Sequence, residues 1–316
     1  MEKGRGMKGV EGMAVPKLIM RNVSKWYFTE GGDIEALRDV SFEVAEGEIV
    51  CIVGPSGCGK STLLNLIAGF EPPDSGEILI DGKPPAEPGP DRVIMFQEGA
   101  LFPWLRVVDN VAYGLKMAGY TKEERRPLAM AELEKVGLTR FARNRIHELS
   151  VGMRQRVALA RALIMQPRVL LMDEPFAALD AQTRDSLHME LQKLWGPTKV
   201  TVIFVTHNVR EAACLGDRVL IMSPRPGTLV AEHSVVAPRP RTIEDDEVIA
   251  VARKLRADLK AVTGNGNAVG EVKSGGDRGC PGLESGVDHD AERRSPAVHG
   301  GVKSGGGEGK TEGAKA

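Results

Sequence analysis

The feature that most constrains this chain is a glycine-rich loop, Gly54-Pro55-Ser56-Gly57-Cys58-Gly59-Lys60-Ser61. It fits the pattern G-x4-G-K-[ST]. A short apolar run rich in β-branched residues precedes it, and an apolar helix that ends near Gly69 follows it. Strand, loop and helix in this order form the context that a phosphate-binding loop requires, because glycines let backbone N–H groups curl around a phosphate. The sequence therefore predicts a nucleoside triphosphate site here, and a glycine-rich turn that matches by chance is the weaker reading.

Within this loop, side chains and backbone have different expected tasks. Lys60 can reach the β- and γ-phosphates, and the Ser61 hydroxyl can ligate Mg²⁺, with Thr62 completing the motif. The positive end of the following helix points at the same anion. The backbone of Cys58, rather than its thiol, is expected to matter.

Composition limits the class of protein. The chain has 316 residues, 42% of them apolar, and a formal net charge of −1, so it has no general attraction to nucleic acid. The N-terminus lacks the apolar stretch of a secretory signal, and no run approaches the roughly 20 apolar residues of a spanning helix. We therefore expect a protein soluble by itself that reaches a membrane only through a partner. Without CxxC pairs, the four cysteines (Cys51, Cys58, Cys214 and Cys280) favour neither a zinc cluster nor disulfides.

Strand-like and helix-like segments alternate along the chain, which predicts an α/β fold with a parallel sheet covered on both faces. Buried strands are expected at 48–53, 169–172 and 200–205, two further strands at 17–28 and 36–44, a hairpin arm at 77–80, and mostly helix from 107 to 165. The expected organisation is a flexible N-terminus over 1–15, one ATPase domain over 16–263 with a helical subdomain at about 98–165, and a disordered glycine-rich tail over 264–316.

Polar side chains follow three of the apolar strands. Asp173 and Glu174 end the run Val169-Leu-Leu-Met, where Asp173 is expected to hold the Mg²⁺ shell and Glu174 to act as general base on water. An acidic turn that is merely solvated is the alternative. His207 follows the strand at 200–205 and can hold the water or Glu174 in line, although strand-end histidines are more often structural. Gln97, after Val93-Ile-Met-Phe, can ligate Mg²⁺ or orient water.

Together these pieces resemble the ATP-binding-cassette (ABC) ATPases over roughly residues 17–260. The resemblance rests on six motifs in the family's order: GPSGCGKST as Walker A, Gln97 as the Q-loop glutamine, Leu149-Ser150-Val151-Gly152-Met153-Arg154-Gln155 as the signature motif, LLMDEP as Walker B, Ala178-Leu179-Asp180 as the D-loop, and His207 as the switch histidine. It implies a P-loop NTPase (RecA-like) core with an N-terminal antiparallel β subdomain and an inserted α-helical subdomain. It also implies that Tyr27, or alternatively Trp26, stacks on adenine.

The resemblance implies partners as well. In this family two ATPase subunits face each other head to tail, so Ser150, Gly152 and Asp180 are expected to act on the partner's nucleotide. The stretch from Gly89-Pro-Asp-Arg92 through Pro103-Trp104 to Asn110 is similar to that of bacterial importers for nitrate, sulfonates and taurine. That branch works at the cytoplasmic face of the inner membrane with a permease and a periplasmic solute-binding protein. The segment 97–110, with the apolar residues Phe102, Pro103 and Trp104, is the expected permease contact, and core packing of those residues is the alternative.

Two positions depart from the family pattern. Val151 replaces a glycine of the signature motif, and because a β-branched residue disfavours positive φ it is expected to hinder closure over the nucleotide. Asn208 replaces the usual Asp after the histidine, with little expected effect. The alternative functions are a soluble ABC ATPase without a permease, a small-molecule P-loop kinase, and a silent regulatory cassette.

Overall fold

The computed structural model describes residues 16–85, 87–97, 100–198 and 200–265. In these ranges the strands are β1 (Leu18–Thr29), β2 (Gly32–Val44), β3 (Ile49–Val53), β4 (Ser75–Ile80), β5 (Arg92–Met95), β6 (Val169–Asp173), β7 (Thr201–Thr206), β8 (Arg218–Met222) and β9 (Leu229–Ser234). The α-helices are α1 (Lys60–Ala68), α2 (Val107–Val111), α3 (Tyr113–Met117), α4 (Lys122–Lys135), α5 (Val151–Leu163), α6 (Ala181–Thr198), α7 (Val209–Leu215) and α8 (Asp246–Asn265).

A three-stranded antiparallel sheet of order β2-β1-β4 forms the N-terminal part. The two long strands pair along their length, and Tyr27 lies opposite Ile34. The predicted hairpin arm at 77–80 is only partly correct. Asp81 and Gly82 do form a tight turn with positive φ, but β4 pairs with β1, and the returning chain adds a single bridge at Lys83. Register explains this, because pairing with β1 buries the apolar residues of β4 against the core.

The second sheet has six strands in the order β5-β6-β7-β3-β8-β9. All neighbours are parallel except the last pair, and β3 and β7 are buried along their whole length. In the register, Val53 lies beside Thr206, and Asp173 lies beside Val205. The carboxyl ends of β3, β6 and β7 therefore meet at one edge of the sheet, where parallel α/β folds place their ligands.

Helices α2 to α5 pack around an apolar cluster of their own, which includes Val111, Leu133, Ile146 and Val157. The Thr121 hydroxyl accepts from the Glu124 amide and the Glu124 carboxylate accepts from the Thr121 amide, so a full capping box begins α4. The mostly helical character predicted for 107–165 is confirmed. Because Glu98 and Gly99 lie outside the described residues, the predicted start of the helical subdomain stays a prediction.

The C-terminal helix α8 packs on α7 and runs to Asn265, so the tail predicted from residue 264 begins inside a helix. The rest of that tail, and the flexible N-terminus predicted for 1–15, lie outside the described residues. Among the helices of the described ranges, none combines the length and the apolar character needed to cross a membrane.

Candidate nucleotide-binding site

The glycine-rich loop connects β3 to α1, as predicted. Gly57 and Gly59 both have positive φ, at 75° and 96°. A Cβ atom on Gly59 would lie 2.7 Å from Leu37 Cδ2 and 2.8 Å from the Ala36 carbonyl oxygen, so only glycine fits against β2 here. Among the described residues no side chain caps α1, which leaves the first N–H groups of this helix for a ligand.

Lys60 is buried, and its ammonium group folds back onto the loop. Its Nζ atom donates to the carbonyl oxygens of Gly54 and Pro55, both at 2.9 Å. The Cys58 thiol lies 3.8 Å from the same nitrogen. Because burial raises the pKa of Cys58, its thiol stays protonated, which agrees with a role for its backbone alone.

Asp173 ends β6 next to the first turn of α1. The Ser61 hydroxyl lies near its carboxylate. Burial raises the pKa of Asp173, the Ser61 hydroxyl opposes this rise, and the neighbouring Glu174 adds to it. A partly desolvated carboxylate beside a hydroxyl is a donor set of hard oxygens, which suits Mg²⁺ bound with a nucleotide.

Glu174 and His207 are brought together from two neighbouring strands. Nδ1 of His207 lies 2.9 Å from Oε2 of Glu174. Glu174 has a φ of 43°, unusual for a non-glycine residue, and its amide donates to the Val205 carbonyl oxygen on β7 at 2.9 Å. The backbone bond therefore fixes the carboxylate where the histidine reaches it. Asn208 caps α7 by accepting from the Arg210 amide, so a small polar residue is sufficient at that position.

A cavity of about 650 Å³ opens above the loop. Ten residues predicted for the site line it: Tyr27, Ser56, Gly57, Gly59, Lys60, Ser61, Thr62, Gln97, Asp173 and Glu174. Trp26 does not line it, so of the two aromatic candidates Tyr27 faces the cavity. The Tyr27 hydroxyl donates to Glu71 at 2.7 Å, and burial raises its pKa.

Four lining residues were missed by the sequence analysis: Thr29, Ile34, Ala36 and Arg225. The β1–β2 register places Ile34 directly opposite Tyr27, so this residue could have been found from the strand pairing. No local pattern identifies Arg225, which is far from the glycine-rich loop in sequence.

Ser150, Gly152 and Asp180 form a separate group that does not line the cavity of this single chain. Ser150 caps α5 by accepting from the Met153 amide at 3.3 Å, and Asp180 accepts from the Thr183 amide at 3.0 Å. A Cβ atom on Gly152 would lie 2.6 Å from Thr183 Cγ2, so the N-terminal turns of α5 and α6 are in close contact.

Val151 does not have the backbone problem that the sequence suggested. It is the first residue of α5 and is not among the described non-glycine residues with positive φ. The assumption of positive φ at this position was therefore wrong, because the N-terminal turn of a helix uses negative φ, while the effect of Val151 on closure stays a prediction. Its side chain is 40% exposed on the surface beside Ser150.

Comparison with known proteins gives a consistent result. Residues 37–177 match the ABC transporter family. The chain is 51% identical over 219 residues to the taurine import ATP-binding protein TauB of Burkholderia pseudomallei, covering 69% of this chain and 84% of that protein. It is 44% identical over 260 residues to an uncharacterised ABC transporter ATP-binding protein of Methanocaldococcus jannaschii, covering 82% and 97%.

The same family appears among solved structures. The dimeric post-hydrolysis structure of the ATP-binding cassette MJ0796 with ADP and phosphate has a TM-score of 0.61 and 35% identity, covering 70% of this chain and all of that one. This likeness confirms the predicted P-loop core with its added antiparallel and helical parts. The chain belongs to the ABC transporter family, as one of its nucleotide-binding ATPases.

Proposed function

We propose that this chain is the ATP-hydrolysing subunit of a bacterial importer for a small anion such as taurine, another sulfonate or nitrate. The observation that carries the proposal is one cavity lined by Lys60, Asp173 and Glu174, in a chain half identical to a taurine import ATP-binding protein. The relatives named as import proteins favour this function over a soluble ABC ATPase without a permease.

The side chains of the cavity suggest a division of roles. Glu174 would take a proton from the attacking water, and His207 would hold Glu174 through the 2.9 Å contact. Lys60 would bind the β- and γ-phosphates once it leaves its carbonyl partners. Tyr27, which lines the cavity together with its strand partner Ile34, would stack on the adenine ring.

Mg²⁺ fits the residues present. The Ser61 hydroxyl, the Asp173 carboxylate and the Gln97 amide oxygen would hold it, as hard oxygen ligands that line the same cavity. When bound, Mg²⁺ would neutralise charge on the phosphates.

A second copy of this ATPase is the partner that would complete the site. Ser150, Gly152 and Asp180 lie at the helix starts of α5 and α6, yet they do not line the cavity of their own chain. Head-to-tail pairing would let Ser150 and the start of α5 approach the partner's γ-phosphate. The dimeric state named for the MJ0796 cassette supports this arrangement.

The segment that begins at Phe102 would contact the permease. Buried Asn110 organises it, because its Oδ1 accepts from the Phe102 amide at 2.8 Å and its Nδ2 donates to the carbonyl oxygens of Phe102 and Arg106. Trp104 is 67% exposed, and its ring packs at a tilt against the Phe102 ring, with 5.4 Å between the centroids. An exposed aromatic on a segment that a buried asparagine ties down suits a protein interface.

Through that permease the chain would work at the cytoplasmic face of the inner membrane. The periplasmic solute-binding protein would act on it only indirectly, through the permease. Nothing in this arrangement requires nucleic acid, in keeping with the net charge of −1.

The test is purification of the full chain from membranes of its source organism. We expect a permease to copurify and ATP-driven uptake of a sulfonate or nitrate in proteoliposomes. The double variant Phe102→Ala, Trp104→Ala should lose the permease while keeping basal ATP hydrolysis. Met117→Ala, which removes another exposed apolar side chain, is the matched control. An active ATPase that never associates with a membrane protein would refute the importer function.

A further inference from the structure

The segment between β8 and β9 is a compact turn that is stabilised by hydrogen bonds between its own residues. The Ser223 hydroxyl donates to the Pro226 carbonyl oxygen at 2.9 Å and accepts from the Thr228 amide at 2.9 Å. The Ser223 amide donates to the Thr228 carbonyl oxygen at 3.0 Å. Arg225 therefore projects from a well-defined turn rather than from an open loop.

This turn lies between β2 and the phosphate loop and contacts both. The Gly227 amide donates to the Ala36 carbonyl oxygen, and the Arg38 amide donates to the Gly227 carbonyl oxygen, both at 3.0 Å. A Cβ atom on Gly227 would lie 2.1 Å from the Cys58 carbonyl oxygen, so the turn and the loop pack backbone to backbone. The turn is thus held in place by hydrogen bonds to β2 and by close packing against the phosphate loop.

Arg225 reaches the phosphate loop from this position. Its Nε donates to the Gly57 carbonyl oxygen at 3.3 Å, and one terminal nitrogen lies 3.5 Å from where a Gly57 Cβ would be. The side chain is exposed and lines the cavity. In the part of the chain that the structure describes, no carboxylate forms an ion pair with it.

The charged side chains that line the cavity indicate a role for Arg225 in binding an anion. Its lining includes two cations, Lys60 and Arg225, and two carboxylates, Asp173 and Glu174. The Nε bond to Gly57 occupies one donor of the guanidinium and leaves the terminal nitrogens available. A planar guanidinium with several donors is well suited to phosphate oxygens.

We propose that Arg225 is a phosphate-binding residue of this site, and that it donates to a phosphate oxygen of the bound nucleoside di- or triphosphate. The proposal rests on ATP binding, which the family membership supports, and is independent of the permease and the solute. The competing role is a structural one, in which Arg225 only steadies Gly57 through its Nε.

The two roles differ in what they predict for ligands and variants. A phosphate contact weakens ATP and ADP binding when lost, leaves adenosine binding unchanged, and is partly kept by lysine. A brace needs the Nε–H group, which lysine lacks, so Arg225→Lys and Arg225→Gln would then be equally impaired, and adenosine binding would fall as well.

The experiment measures dissociation constants of ATP, ADP and adenosine for the full chain by equilibrium dialysis. We expect Arg225→Gln to weaken ATP and ADP on the order of tenfold, with the difference shrinking at high salt. Arg225→Lys should lose less, and adenosine should bind all variants alike. Arg253→Gln, an exposed arginine on α8, is the matched control.

Unfolding of each nucleotide-free variant is followed in parallel. If Arg225→Gln does not fold, Arg225→Lys and the salt dependence of the native chain decide the question. Unchanged ATP and ADP affinity in Arg225→Gln would overturn the proposal, as would equal loss in both variants together with weaker adenosine binding. Since the assay contains no permease, failure here would leave the importer function untouched, and failure of uptake would leave this proposal untouched.

Discussion

The His207 ring lies 2.9 Å from the Glu174 carboxylate, although 33 positions separate the two residues in the chain. The contact exists because β6 and β7 are parallel neighbours in register, so both residues leave the sheet at the same edge. The Glu174 amide also donates to Val205, the residue that pairs with Asp173. One backbone hydrogen bond thus ties the segment of Asp173 and Glu174 to the strand that leads to His207.

Glu174→Gln tests the general base. The amide keeps the shape of the side chain but cannot take a proton from water, so we expect ATP binding near that of the native chain and hydrolysis at least about 100-fold slower. Phosphate release and nucleotide affinity are measured side by side. Glu247→Gln, on α8, serves as the control. Hydrolysis within twofold of the native rate would rule out this assignment.

His207→Ala tests whether the histidine acts through Glu174. Loss of the contact frees the carboxylate to rotate, so we expect the turnover number to fall by about 10-fold or more while the ATP affinity changes little. Steady-state kinetics separate these two effects. The exposed His147→Ala is the matched control. A change in affinity with an unchanged turnover number would contradict the proposed role.

Asp173→Asn should stabilise the nucleotide-free protein while impairing its function. Burial raises the pKa of Asp173, so its ionised form is disfavoured in the folded state relative to the unfolded chain. This penalty is complete above the folded pKa and disappears below the ordinary aspartate range. We expect the variant's Tm to exceed that of the native chain by about 1–3 °C at pH 7.5, and the gain to shrink towards pH 4.

Asp180 provides a control for that experiment, because its substitution is expected to change Tm in the opposite direction. Hydrogen bonds from Thr183 lower the pKa of Asp180, so its contribution to stability is present at neutral pH and is lost as pH falls through the folded pKa. Asp180→Ala should therefore lower Tm at pH 7.5. A Tm for Asp173→Asn below that of the native chain at pH 7.5 would contradict a net penalty from burial of the ionised carboxylate.

Gly152→Ala tests the close approach of α5 and α6. The new methyl group would lie 2.6 Å from Thr183 Cγ2, so we expect Tm to fall by a few degrees and ATP hydrolysis to slow. Adding Thr183→Ser removes the obstructing methyl group but keeps the amide that Asp180 binds, and should restore most of the loss. A stable Gly152→Ala, or a double variant no better than the single one, would contradict this packing.

Local sequence was sufficient for the parts of the site that one short segment builds. The phosphate loop and its flanking strand and helix were predicted from spacing and residue type. Asp173 and His207 were predicted because polar residues that end buried parallel strands must gather at one sheet edge. In each case the determining interactions lie within a few residues or follow from strand direction.

Features that depend on distant packing could not be predicted in this way. Arg225 reaches the site only because its turn bonds to β2. Likewise, the pairing of β4 with β1, and not with the chain that follows β4, depends on packing against the core. Val151 has negative φ because it begins α5, and the residue type alone does not reveal that helix start. The choice between Trp26 and Tyr27 needed the β1–β2 register, which decides the side that each faces.

The Lys60 ammonium group donates to backbone carbonyl oxygens of the loop, so a ligand that binds this group must replace those hydrogen bonds. Its ammonium already has two backbone acceptors, so an arriving anion gains from this lysine only the difference between old and new partners. The first amides of α1, which no described side chain caps, give up no side-chain partner and would supply a net gain to any phosphate group that reaches them. Lys60 therefore adds less to the affinity for phosphates than its charge alone suggests, and the start of α1 carries the larger share.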